Sequence, residues 1–172
     1  MNPDLDVRLK SVLKALSDVI LPALPASERL ARDQANLVIG HLTIIAEQWQ
    51  HALNFELLNL AQARVLAGEL AGMNFDSALG DDLIAAQSAA EAVDRNDYQA
   101  VTAIHRLLKT VIDRLISADH HRAPMPPAML AAVLRYNRRR APRERVWHRA
   151  AGLDPDAAGL PSIAALFRPA AG

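Results

Sequence analysis

The chain has 172 residues, 51% hydrophobic, 22% charged and 4% aromatic, and no cysteine. That length suits one domain that buries a core without covalent staples, and the missing thiols exclude disulfides, thiolate nucleophiles, zinc ribbons and iron–sulfur ligation. The formal charge of zero hides an asymmetry: residues 1–121 hold 10 Lys and Arg against 16 Asp and Glu, whereas residues 122–172 hold 9 Arg against 3 acids.

With 33 Ala and 25 Leu against 7 Gly and 7 Ser, the composition favours residues that cost least to hold in a helix, and an all-α fold is expected. The opening segment lacks the basic and small-residue pattern of a secretory signal. The longest apolar run, Leu37 to Ala46, is ten residues interrupted by His41, too short to span a bilayer. A soluble, cytoplasmic protein is expected.

In chain order, Pro3 and Asp4 start a first helix that runs to Leu21, with Leu5, Leu9, Val12, Leu13, Leu16, Val19 and Ile20 on one stripe. Pro22-Ala23-Leu24-Pro25 stops it, and Ser27 is the expected N-cap of the next helix. From Ser27 to Gly72 there is no proline, which predicts one helix of about 45 residues and roughly 68 Å. The first helix reaches only about 27 Å. The overhang requires either a break, near Gly40 or within Gln48–Asn54, or a second copy packed alongside, and a homodimer is the expectation. Met73–Gly80 reads as a loop, with Asp81 or Asp82 capping an Ala-rich helix to Val93. Asp94–Asp97 reads as a turn whose Asp97 caps a helix over Tyr98–Ala118, with Val101, Ile104, Leu108, Val111, Ile112 and Leu115 on one face. Short connections predict an up-and-down four-helix bundle with one very long second helix. It forms an acidic body, 1–121, followed by an Arg-rich helical and extended arm, 122–172. In the arm a helix is expected from Pro127 to Arg140, with Met129, Leu130, Val133, Leu134 and Tyr136 on its apolar side and Pro142 at its end. A short turn follows over Arg143–Ala150, then an extended stretch anchored by Ile163, Leu166 and Phe167.

Candidate chemistry centres on the long helix. Leu30, Leu37, Ile44, Ile45, Ala52 and Phe55 define an apolar face, and His41, Gln48 and Asn59 sit within it. Polar groups in such a stripe either fix register in a helix seam or line a ligand pocket, with His51 and His105 completing the set. A metal reading would gather His41, Glu47, His51 and His105. The pattern lacks Glu-x-x-His and His-Glu-x-x-His, so the expectation is no metal and no cofactor. Nucleophile-elbow, phosphate-loop and dinucleotide motifs are also absent, and no catalytic residue is assigned.

The second candidate is the arginine cluster Arg135, Arg138, Arg139, Arg140, Arg143, Arg145 and Arg149, interleaved with Tyr136, Trp147 and His148. Guanidinium groups bind phosphate and aromatics stack on bases, so an anionic partner is one reading. A helix-turn-helix signature is missing and the domain is neutral, so neither nucleic acid nor a membrane surface is favoured. The other reading pairs these arginines with acids of the body such as Asp76, Asp81, Asp82, Glu91, Asp94 and Asp97.

The segment Val19-Ile20-Leu21-Pro22-Ala23-Leu24, followed by a helix carrying Arg32, Ala35, Asn36 and Ile39, resembles a small all-helical bacterial family of unknown function. Its members are encoded beside acyl-CoA dehydrogenases and aminoglycoside-phosphotransferase-like kinases. The resemblance covers residues 5–50 and implies an accessory role in acyl-CoA catabolism, with no functional residues to carry over. The sequence reading is thus a non-catalytic interaction or accessory protein that forms a homodimer and engages a protein partner. The alternatives are a small-molecule- or metal-binding bundle with enzymatic activity, and a nucleic-acid binder acting through its arginines.

Overall fold

The computed structural model describes residues 4–73, 77–120 and 125–168 of the chain. Among these residues the regular structure is entirely helical. The chain divides into two compact units, residues 1–50 with 143–172 and residues 51–142. The boundary expected between 121 and 122 lies outside the described residues, as do Asp76 and Pro124.

In the first unit, α1 (Leu5–Ala15) runs into a π-helical turn (Leu16–Ile20) and a short α2 (Leu21–Ala23). The ladder widens immediately before Pro22, which has no N–H to give to the carbonyl one turn earlier. Leu24 then turns extended, with φ −72° and ψ 129°, as the residue before Pro25 must. Two carbonyls freed here, of Leu21 and Leu24, accept from Arg32 Nη1 at 3.2 and 2.8 Å. Helix ends leave such carbonyls without intrahelical partners, so Arg32, one of the residues carrying the family resemblance, has a structural task.

α3 (Arg29–Gln48) follows. The expected cap does not form: Glu28 occupies the cap position, without a side-chain hydrogen bond, and Ser27 instead accepts through its carbonyl from Arg29 N–H at 3.0 Å. The very long second helix is also divided. α3 stops at Gln48, residues Trp49–His51 tighten into a 3₁₀ turn, and α4 begins at Ala52. The division falls within Gln48–Asn54, not at Gly40, which stays helical. At His51 the backbone reaches φ −110° and ψ −2°, outside the α basin. Trp, Gln, His and Asn together hold helix less well than the Ala- and Leu-rich flanks.

The rest of the first unit comes from the C-terminal segment. Val146 and Trp147 are buried, and Gly152, at φ 69°, takes the left-handed conformation that ends the 3₁₀ turn Arg149–Ala151. Further 3₁₀ turns at Ala157–Gly159 and Ile163–Phe167 follow, with Ile163 buried and Leu166 and Phe167 half-buried.

The second unit contains α4 (Ala52–Ala71), α5 (Ser77–Ala92), α6 (Tyr98–His120) and α7 (Pro127–Trp147) as far as Pro142. All four helices supply one core, exemplified by Leu66 and Leu70, Leu83, Leu108 and Leu115, and Met129. α5 starts at Ser77, so Ser77–Gly80, expected in a loop, is helical, and Asp81 and Asp82 lie inside the helix, past its first turn, and do not cap it. Asp97 caps α6 as its sequence position indicates: its Oδ1 accepts from Gln99 and Ala100 N–H at 2.8 and 3.1 Å. Asp94 closes the preceding turn on Asn96 N–H at 2.9 Å.

α7 corrects two further expectations. Pro142 lies inside the helix rather than at its end; one lost N–H and a local adjustment are tolerated where flanking turns remain bonded. Leu130 and Leu134, assigned to the apolar side, are each 45% exposed. Met129 and Ala132 are buried in the core, and Val133 and Tyr136 pack against it.

Candidate functional site

The polar residues of the long stripe separate into different environments. In the first unit, Gln48 donates through Nε2 to the Trp147 carbonyl at 2.8 Å, tying the end of α3 to the C-terminal segment. Glu47 stands 3.8 Å from Arg149 Nε. Arg149 also donates through Nη1 to the carbonyls of Leu160 and Pro161 at 3.2 and 2.9 Å, so one guanidinium holds the arm at three points. His41 is exposed.

α3 carries two apolar sides. Ala35, Ile39, Leu42 and Ala46 are half-buried, on the side turned toward α1 and the rest of the unit. Leu30, Leu37, Val38 and Ile45 are 74%, 53%, 45% and 47% exposed, and His41 lies among them at helical spacing. α1 with its π-helical continuation is similar: Leu9, Leu13 and Leu16 are half-buried, while Leu5, Val12, Val19 and Ile20 remain 46–65% exposed. Neither helix buries a single residue completely.

In the second unit, His51 is half-buried in the 3₁₀ turn and Asn59 is buried at 6% exposure. His105 Nδ1 lies 2.8 Å from Glu56 Oε2, with side chains 12% and 21% exposed. Glu56 was not among the sequence candidates, although it lies on the same helix as Asn59, one turn earlier. The other ring nitrogen of His105 and the hydroxyl of Thr102, three residues before it on α6, are both buried without a hydrogen-bond partner. The carboxylate fixes the imidazole orientation, as in a metal second shell or a general base. Among the described residues no group of three or more His, Asp and Glu converges as a metal site, and the residues lining the clefts described below do not include His105. The contact joins α4 to α6.

The arginines also divide. Arg135 pairs with Glu69 at 2.8 Å. Arg145 takes Asp154 in a two-pronged contact at 2.6 and 3.0 Å and reaches Asp156 at 3.2 Å. This guanidinium draws the Asp154 carboxyl down from 3.8 to about 2, aided by the Asp156 backbone N–H, and the paired carboxylates raise Arg145 itself. Three of the acids proposed as their partners are engaged elsewhere: Glu91 pairs with Arg64 at 2.7 Å, and Asp94 and Asp97 serve the turn and cap. Arg140 and Arg143 are half-buried, and Arg138 and Arg139 are exposed.

Two of the clefts on the second unit have appreciable volume. One, of about 80 Å³, is lined by Leu57, Leu60, Arg64, Ala90, Glu91 and Arg95. The other, of about 120 Å³, lies between α4, α6 and α7. No described helix is long and apolar enough to cross a membrane. Comparisons with protein-family models, with curated proteins and with solved structures find no match.

Proposed function

We propose that the protein is a non-catalytic interaction protein that works as a homodimer, associating through the outward apolar sides of α1 and α3. The observation that carries this reading is the exposure of Leu30, Leu37, Val38 and Ile45 on α3, of Leu5 and Val12 on α1, and of Val19 and Ile20 on the π-helical turn that continues it. Fully burying one such side chain stabilises by about 1.5–3 kcal/mol at about 25 cal/mol per Å². On that scale, the exposed fractions leave roughly 250–500 Å² of apolar surface per protomer. A standard interface buries about 800 Å² per partner, rather more than half of it apolar, so the two stripes together are of the size a stable dimer needs. The largest apolar patch on a protein is of this order, and it is often functional.

Within this reading His41 is a register-setting polar residue in the seam. The accessory role in acyl-CoA catabolism follows from the resemblance over residues 5–50.

Sedimentation equilibrium or native mass spectrometry tests the proposal. A species of twice the 18.7 kDa chain mass is expected at micromolar concentration. Leu37→Glu should convert it to monomer with its helical circular dichroism retained, and His41→Leu should keep the fold but alter the oligomer distribution. A wild-type protein that stays monomeric at about 100 μM, some hundredfold above a micromolar dissociation constant, would overturn it.

A further inference from the structure

We infer that the homodimer is acid-sensitive: His41 enters the seam uncharged, and a proton taken up there drives the two copies apart. The inference rests on the dimer reading above and adds its regulation. His41 is exposed on α3. On the helical wheel Leu30 and Gln34 lie about 20° from it, and Leu37 and Ile45 about 40°, so it is at the middle of the outward stripe and not at its rim. Between Asp33 and Glu47 it is the one side chain that can ionise.

A charge carried into an interface must find a partner there or cost affinity. On α3 itself the flanking acids are out of reach. Asp33 stands about 12 Å away along the helix and Glu47 about 9 Å at 1.5 Å per residue, beyond the ~8 Å at which physiological salt screens exposed charges. Glu47 also stands 3.8 Å from Arg149 Nε, so the C-terminal segment brings a cation to that end of α3. α1, which packs against α3, carries Arg8, Lys10 and Lys14 against Asp6, and Asp6 takes Lys10 at 2.8 Å. The π-helical turn adds Asp18, an exposed acid. Cations thus outnumber acids on the elements around the stripe, and a neutral imidazole suits the seam better than a charged one. In a two-fold interface both copies present the same surface, so two imidazoles are buried per dimer and two protons must be shed. With imidazoles titrating at about 6.5, that requirement weakens the dimer about hundredfold between about pH 7.5 and about pH 5.5.

The test is sedimentation equilibrium of the full chain at those two pH values and constant ionic strength, with circular dichroism at both. The dissociation constant is expected to rise about hundredfold in acid, with helical dichroism unchanged. His41→Gln keeps a polar side chain but takes up no proton, so its dimer should change less than about threefold over the same interval. His148→Gln, which removes an exposed imidazole on the C-terminal segment, should keep the full change. A wild-type dimer equally tight at both pH values, or tightened in acid as an imidazolium paired with Asp18 would be, overturns the inference and leaves the dimer reading standing. A His41→Gln variant that retains the full change does the same. Loss of helix at the lower pH would make unfolding the cause of separation, and it overturns the inference too. A chain that is monomeric at both pH values overturns the dimer reading and this inference with it.

Discussion

Leu108 and Leu37 make a matched pair, because the same substitution meets opposite surroundings. Leu108 is 0% exposed in the shared core of the second unit, whereas Leu37 is 53% exposed on α3. Leu108→Ala removes its buried methyl groups and leaves a cavity that neighbouring helices fill only in part, a loss of about 2–5 kcal/mol. Leu37→Ala gives up roughly half of a burial worth about 1.5–3 kcal/mol, so about 1 kcal/mol. In urea, with a slope of about 1–3 kcal/mol per M, the Leu108 variant should lose about 1–3 M in midpoint and the Leu37 variant well under 1 M. Both are read by circular dichroism at the lowest workable concentration, where association contributes least. Raising the concentration should enlarge the deficit of Leu37→Ala relative to wild type, since the dimer adds stability by mass action that the variant forgoes. The Leu108 deficit should hardly change. Equal costs at low concentration, or a Leu108→Ala cost below about 1 kcal/mol, would refute the assignment of buried and outward faces.

Three further outcomes follow from the polar contacts. Glu56→Ala leaves both ring nitrogens of the half-enclosed His105 without a partner and should cost about 1–3 kcal/mol, while Glu56→Gln, which keeps an acceptor at that point, should cost less; equal losses by urea unfolding would count against the link. Asp97→Ala removes the acceptor for two N–H groups of α6 and should cost about 1 kcal/mol, checked by the same method. Because the Asp154 carboxyl is lowered in the folded state to about 2, its contact with Arg145 contributes above the ordinary value of 3.8 and is lost as pH falls through about 2. An NMR titration of Asp154 should show that midpoint, and Arg145→Ala should move it up toward 3.8. A midpoint already near 3.8 in the unaltered protein would disprove the pairing.

The parts of the fold that the sequence declared were those set by local chemistry. Asp97 sits one residue before an apolar face of period 3.6, and both the cap and the face of α6 formed. Leu24-Pro25 could not remain helical and did not. Expectations failed where distant contacts decide. Pro142 marks an end only if no neighbouring turns hold the helix, and α7 continues through it. Ser27 is as good a cap by composition as Asp97, but there the chain bonds through its carbonyl and the side chain is left out. Trp49 to His51 carry no glycine or proline, so the division of the long helix had only a weak propensity signal.

The site was harder to read for a related reason: a helical wheel shows that a face is apolar, not what covers it. On α3 the wheel offers Leu30, Leu37 and Ile45 on one side and Ala35, Ile39, Leu42 and Ala46 on another, and bulk alone would choose the first as the core. The fold turns the second inward. Small residues let α3 approach its neighbours closely, and Arg32, on that same side, must reach back to the carbonyls of Leu21 and Leu24. With that tether in place the larger side chains Leu30, Leu37 and Ile45, with His41 among them, lie at the surface. An apolar face turned outward by a constraint elsewhere in the unit is a stronger argument for a partner than an apolar face that merely lacks a neighbour, because repacking within the unit would break the tether before it could hide the face.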